Sequence, residues 1–517
     1  MVDWLATRHW SLRAAIAILT GVATALGFQP YGWWPLVPFG VAGLTLVVLA
    51  ASRVRGATGL GYLWGIGFLL LGVGWMQAIF VQAMVALVAI EACFYGLLGA
   101  LLKVAARTRW WPLLAAACWT GVEFTYARFP FNGFGWMRLG YAMVDSPLAW
   151  VLPLAGVAGL GFVTALLAQG LVWLVTAFSR RRAVVASAGL AAIALLAAGG
   201  TLVPVGTQTG TVQVGWVQGG APGGGVYGIG EARTTSRNHL AESVNLRARI
   251  DAGEVARPDF VVLPENTTDM DPFTDSQTGA LVGAMSAQLD LPMLLGVILD
   301  GPGVDERQTA SLWWEPGKGE TARYIKRGIV PFGEWVPMRS LLLPLIPELA
   351  FVGAQSIPGT QPGALPVTLP DGRPLTLGIM VCYDLVYDDF AYDTVRYGGQ
   401  VLLVQSSNAM YQGTGQIEQQ FAITRARAME LRRDVLVVTT SGVSGLINAD
   451  GTVAFTAPDH VGASGVVALA ERSGLTPATW LASPLELAIT ILAGLALVAS
   501  LRYGRMGADR FRNGRSE

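Results

Sequence analysis

The chain has 517 residues, 35 basic and 35 acidic side chains, a formal net charge of +0 and a mean hydropathy of +0.48. Only 14% of residues are charged, against about 25% in typical soluble proteins, so part of the chain belongs in lipid, and the even charge gives no reason to expect nucleic acid as a partner. The three cysteines (Cys93, Cys118, Cys382) and three histidines (His9, His239, His460) lie too far apart for a disulfide framework or a CxxC zinc site.

A membrane helix needs about 20 mostly apolar residues. Such stretches occur at 11–27, 34–51, 58–77, 82–102, 111–127, 150–178 and 183–204, with an eighth at 482–501. The first resembles a signal peptide but lacks a small-residue cleavage site and is expected to be retained. Sorted by alternate connections, fifteen Lys and Arg residues fall on one side. They include Arg53, Arg55, Arg180, Arg181 and Arg182 and the tail residues Arg502, Arg505, Arg510, Arg512 and Arg515. The opposite short loops hold Arg128 and Arg138. The positive-inside rule makes the first side cytoplasmic. Both termini are then inside, with a seven-helix membrane domain over 1–204, an extracytoplasmic domain over 205–480, and a last helix with a basic tail over 481–517. Glu91 and Glu123 are the acids expected within spans, more readily as structural partners than as reactive groups.

Residues 205–480 predict an α/β domain. Apolar strands fall at 211–219, 260–265, 291–299, 375–382, 400–407 and 434–441, separated by helices such as 230–252 and 416–433. Continuous apolar runs suit strands covered on both faces. Helix 416–433 places Ile417, Phe421, Thr424 and Ala428 on one face. Segment 339–354, RSLLLPLIPELAFVGA, predicts an apolar loop that either dips into the lipid or covers a lipid-shaped cleft, or else is an ordinary buried insertion.

The chemistry narrows by elimination. There is no G-x-S-x-G elbow and no metal-ligand cluster, and no histidine is well placed for a triad; only His460 is a remote possibility. Gly223, Gly225 and Gly228 match G-x-G-x-x-G but lead to no strand ending in an acid, so they predict a flexible loop. Cys382 remains, at the end of an apolar strand. Glu265 ends another, and Lys326 ends the strand ETARYIK. Ligand sites in α/β sheets gather at the carboxyl ends of strands. A thiol there becomes a nucleophile when Lys326 supplies positive field and Glu265 takes its proton.

These residues carry a resemblance. LPEN around Glu265, the run from Lys326 to Glu334 with VPFGEWVP, and VCYD around Cys382 resemble the Glu-Lys-Cys motifs of the nitrilase superfamily. The expected helices before and after that domain, with GFQPYGWWP (27–35), FPFNGFGWMRLGY (129–141) and RARAMELRRD (425–434), make the whole chain similar to the apolipoprotein N-acyltransferase family. The resemblance implies an αββα sandwich joined to the eight-helix membrane part, without cofactor or metal. It implies Cys382 as nucleophile, Glu265 as general base and acid, and Lys326 with the backbone N–H of Tyr383 at the oxyanion, supported by Glu334 and Asp384. It further implies a monomer in the cytoplasmic (inner) membrane, with a phospholipid as acyl donor and a diacylated lipoprotein as acceptor. Two positions depart from the family pattern: Asp384 where Glu is common, and Glu418, Gln419 and Gln420 where His is often found. The competing expectation is a membrane-tethered amidase of the same superfamily acting on a soluble amide.

Overall fold

The computed structural model describes residues 1–176 and 178–513, with side chains described as far as Arg502. Arg515 and the side chains of Arg505, Arg510 and Arg512 lie outside that range. The chain forms two compact units, one of residues 1–203 with 480–517 and one of residues 204–479.

In the first unit each apolar stretch folds as helix: Trp10–Ala25, Leu36–Ala50, Val54–Gly72, Val81–Ala105, Trp111–Tyr126, Leu152–Thr176, Arg180–Thr201 and Ala478–Asn513. Helices satisfy their backbone polar groups internally, as a chain in hydrocarbon must. Five segments have the length and hydropathy to cross a membrane: Val54–Gly72, Val81–Ala105, Pro147–Thr176, Arg180–Thr201 and Ala478–Arg502. Trp10–Ala25 and Leu36–Ala50 are apolar but shorter. Val54–Gly72 and Val81–Ala105 meet backbone to backbone. A Cβ on Gly61 would stand 2.2 Å from the Tyr95 carbonyl, and one on Gly99 2.3 Å from that of Ala57. Small residues at such crossings give lipid-embedded helices their packing energy. Trp64 fills the space beside this crossing, its ring 5.0 Å from Phe68, 5.1 Å from Tyr95 and 5.5 Å from Trp119.

Glu91 and Glu123 are both buried. Glu123 accepts hydrogen bonds from the Leu139 amide (2.8 Å) and the Trp119 indole (3.3 Å), which is a local packing role. The structure adds an acid missing from the sequence expectation. Glu486, inside the 482–501 stretch, accepts from Arg138 at 2.6 Å and Arg128 at 2.9 Å. The two arginines that stood out in the basic-poor loops therefore have a buried counter-charge.

The second unit is built on β1 (Thr207–Gln218), β2 (Phe260–Val262), β3 (Met293–Asp300), β4 (Glu306–Glu315), β5 (Gly319–Ile325), β6 (Gln355–Ser356), β7 (Ala364–Thr368), β8 (Pro374–Val381), β9 (Val401–Ser406), β10 (Val435–Thr439), β11 (Gly445–Ile447), β12 (Val453–Thr456) and β13 (Ala463–Ser473). One sheet runs β13-β1-β2-β3-β4-β5 with β6 on β4, and the other runs β12-β11-β10-β9-β8-β7. The central strands β1-β2-β3 and β8-β9-β10 are parallel, with antiparallel strands outside them. Alternation along each strand builds the layers. Val212, Val214, Trp216, Phe260 and Val262 of the first sheet share a core with Leu377, Ile379, Val381, Leu403, Leu436 and Val438 of the second. The opposite face of the first sheet, through Val261, Leu263, Met293 and Leu295, packs with Leu246, Val282 and Met285 of helices Thr234–Asp251 and Ser276–Leu289. Burying each such side chain is worth about 1.5–3 kcal/mol.

Three expectations change. Helix Gln416–Leu431 is buried on nearly every side, not along one face, because Arg427 and Glu430 neutralise each other inside. Segment 339–354 contains a short helix (Arg339–Leu342) and a 3-10 turn (Pro347–Val352), and it is exposed: Leu341 60%, Leu345 71% and Phe351 56%. The glycine loop is a folded turn, with the Gly223 amide donating to the Gly228 carbonyl at 2.9 Å.

Candidate active site

Glu265, Lys326 and Cys382 meet at one end of the sandwich core. Glu265 lies three residues beyond β2, Lys326 follows β5, and Cys382 follows β8. The Lys326 ammonium, 1% exposed, donates to Glu265 Oε1 at 2.9 Å and to both oxygens of Glu334 at 2.9 and 3.0 Å. The second oxygen of Glu265 accepts from the Ser407 amide at 3.0 Å, just past β9. Its backbone carbonyl accepts from Thr440 Oγ1 at 2.9 Å, past β10. Glu334 also accepts from the Val330 amide at 2.8 Å, which closes the VPFGEW loop over the ammonium.

Cys382 adopts φ 48°, a left-handed conformation uncommon for a side chain with a Cβ. The fold around it sustains that strain. Asp384 does most of this work. Fully buried, it accepts from the Val381 amide (2.9 Å), the Gly328 amide (2.6 Å) and the Tyr324 hydroxyl (2.9 Å). One carboxylate thus ties the turn after the nucleophile to the segment after Lys326, and the shorter acid at this position reaches all three partners. Tyr383 is buried with its ring 5.5 Å from Tyr387. Cys382 as a residue keeps partial exposure, and its thiol lies within the electrostatic reach of Glu265, Lys326 and Glu334.

Burial, with the carboxylates of Glu265 and Glu334 nearby, pushes the Cys382 thiol well up, against the pull of Lys326. Burial also raises Glu265; Lys326 opposes that and Glu334 adds to it. For Lys326, burial works against the charge, but Glu265, Glu334 and Cys382 outweigh it and hold the ammonium well above the ordinary lysine value. The resting thiol is therefore neutral, with a carboxylate base close by and a permanent cation beside it. Such an arrangement suits proton transfer during nucleophilic attack on a carbonyl, with a fixed positive charge for the developing oxyanion.

Several supporting groups had no sequence signal. Ser407 acts through its backbone amide, which any residue supplies. Tyr324 was legible only by its two-residue spacing from Lys326, which places both on one face of the extended chain. Where the family pattern often has His, Gln420 accepts from Asn408 Nδ2 (2.6 Å) and donates to Ser406 Oγ (2.8 Å). Gln419 is buried beside it, and Glu418 points to solvent. His239 is buried on the Thr235 carbonyl at 2.7 Å, and burial drives its pKa to about 4; His460 pairs with Asp459 at 2.9 Å. Among the described residues no group of three metal-ligating side chains occurs.

A family model described as the apolipoprotein N-acyltransferase N-terminal domain matches residues 20–170, and one described as carbon-nitrogen hydrolase matches residues 259–470. The apolipoprotein N-acyltransferase of Mycolicibacterium smegmatis is 31% identical over 96% of this chain and 86% of its own length. That of Haemophilus influenzae is 24% identical over 89% of this chain and 90% of its own. Among solved structures, an amidase from Nesterenkonia sp. overlays 56% of this chain and 98% of its own at TM-score 0.38 and 15% identity, a likeness too weak to build on. Both halves of the chain match, and the alignment to the mycobacterial protein runs almost end to end, so the chain belongs to the apolipoprotein N-acyltransferase family.

Proposed function

We propose that this protein moves a fatty acyl chain from a membrane phospholipid to the α-amino group of a diacylglyceryl-cysteine at a lipoprotein N-terminus, through a thioester on Cys382. The observation that carries this reading is Cys382, held in a left-handed turn at the end of β8, beside Glu265 and Lys326, which hydrogen-bond each other at 2.9 Å. In the first half-reaction Glu265 takes the thiol proton as Sγ bonds to the ester carbonyl carbon. The oxyanion forms against Lys326 and the Tyr383 backbone N–H. The ester C–O bond then breaks, and Glu265 returns the proton to the departing lysophospholipid. In the second, the amine nitrogen attacks the thioester and Glu265 accepts its proton; the C–S bond then breaks, and Glu265 passes that proton to the departing sulfur, which restores both thiol and carboxylate. Glu334 holds Lys326 in place, and Asp384 holds the strained turn. No cofactor enters either step.

The same reading places the protein in the cytoplasmic membrane as a monomer with eight crossings, both termini inside, and residues 204–479 outside. Loop charge supports that orientation. The exposed Leu341, Leu345 and Phe351 suit lipid substrates; a soluble amide gives them no purpose. The test is acylation of a synthetic diacylated lipopeptide by the purified protein with phospholipid as the sole donor. A triacylated product with an amide-linked chain is expected. Release of free fatty acid without lipopeptide acylation would mark a hydrolase instead.

A further inference from the structure

At the start and end of the second unit, where β1 begins opposite the end of β13, lies a cavity of about 130 Å³. A water needs about 10–15 Å³ measured this way, so a polyatomic anion fits with room for solvent. The residues 204–207 and 473–476 line it, together with Arg433. Arg433 is 2% exposed. One Nη donates to the Gly474 carbonyl at 2.6 Å and the other to the Arg432 carbonyl at 3.3 Å, while Nε has no partner.

Among the described residues no carboxylate lies within ion-pair distance of this guanidinium. The adjacent Asp434 instead faces Arg472, at 3.6 Å, and Arg472 also leaves its Nε unpartnered. Burial and then Arg472 lower the pKa of Arg433 to about 10, with Asp434 opposing, so it is still a cation at neutral pH. A buried cation with no carboxylate in contact is poorly compensated and favours an anion beside it. Gly206 lets it sit there: a Cβ would stand 2.4 Å from Arg433 Nη1. The lining segments also have a special place in the chain. Residue 204 follows helix Arg180–Thr201 by three positions, and residue 476 precedes helix Ala478–Asn513 by two.

We propose that this cavity binds the phosphate of a membrane phospholipid headgroup, with Arg433 as its counter-charge. The proposal rests on the crossing of the bilayer by the two flanking helices, which brings both segments to headgroup level. It does not rest on the chemistry at Cys382. The phosphate would take charge-assisted bonds from the guanidinium that lines the cavity.

The full chain in detergent tests this by thermal unfolding with dihexanoyl-phosphatidylglycerol, with dihexanoylglycerol, which lacks the phosphate, and with inorganic phosphate. A saturable rise in Tm is expected with the phospholipid, none with dihexanoylglycerol, and at least ten-fold weaker half-saturation with inorganic phosphate. Arg433→Met should lose that rise. Thr207→Glu, an exposed strand-end change that sets a carboxylate at the cavity, should lose it as well, and it decides the matter alone if Arg433→Met does not fold. Both variants should still form the Cys382 thioester, so failure here and failure of the acyl-transfer reading remain separable. Equal rises in wild type and folded variants would overturn the site. Half-saturation by inorganic phosphate as tight as by the phospholipid would overturn the lipid assignment.

Discussion

Lys326 and Arg427 are each buried between two carboxylates in the same domain, Glu265 and Glu334 around the first, Asp388 and Glu430 around the second. Arg427 spends its planar fork on closure. It binds Asp388 at 2.7 Å and Glu430, and it donates to the backbone carbonyls of Leu385 (2.8 Å) and Val386 (3.4 Å); Glu430 also accepts from Tyr392 at 2.6 Å. Lys326 is a point charge beside Cys382, whose thiol is neutral and whose backbone is held at a strained φ. Burial and charge alone therefore do not mark reactivity. In the proposed reading the mark is an atom with a bond still to make, next to groups placed to move its proton and hold its charge. The two clusters also cooperate, since the carbonyls Arg427 binds lie three and four residues after Cys382.

Substitutions can break that distinction. The largest expected effect is at the nucleophile: Cys382→Ala should lower acyl transfer by a factor of about 10⁴ or more, measured with lipopeptide acceptor, while Tm stays near wild type. Lys326→Met should reduce turnover by about 10²–10³. Arg427→Met should instead lower stability by about 3–5 kcal/mol, because it strands two buried acids, and the molecules that stay folded should still acylate Cys382. If Arg427→Met were as inactive as Lys326→Met at full stability, the contrast would fail.

The smallest expected effect is a pH shift. In the proposed mechanism Glu265 must be ionised, and burial first, then Glu334, raises its pKa while Lys326 opposes. The acid limb of kcat/KM should therefore lie above the ordinary glutamate value of about 4.3. Glu334→Gln removes a repelling carboxylate, which lowers the Glu265 pKa, so the limb should move to lower pH. A move to higher pH would show that Glu334 acts on the base by some other route.

Much of this was legible in the sequence. The six apolar strands stood out because both of their faces are covered, and each of Glu265, Lys326 and Cys382 could be placed at a strand end. β12 was invisible because Val453 and Thr456 lie on an exposed edge where no apolar run is required. β4 begins with the polar run ERQT, which hid a strand whose second half, through Leu312 and Trp313, is core. Glu486 escaped notice because a single acid does not break an apolar stretch, and its partners lie more than three hundred residues away in sequence. The roles of Ser407 and Gly328 lie in backbone amides that only the folded chain brings into position.

The central claim is that Cys382 carries the acyl group. Incubating the purified protein with phospholipid and no acceptor, then digesting it and weighing the peptide that contains Cys382, tests this directly. The account predicts a mass increase of one fatty acyl chain on that peptide, lost on adding lipopeptide and absent in Cys382→Ala. An unmodified Cys382 in protein that goes on to acylate lipopeptide would contradict it.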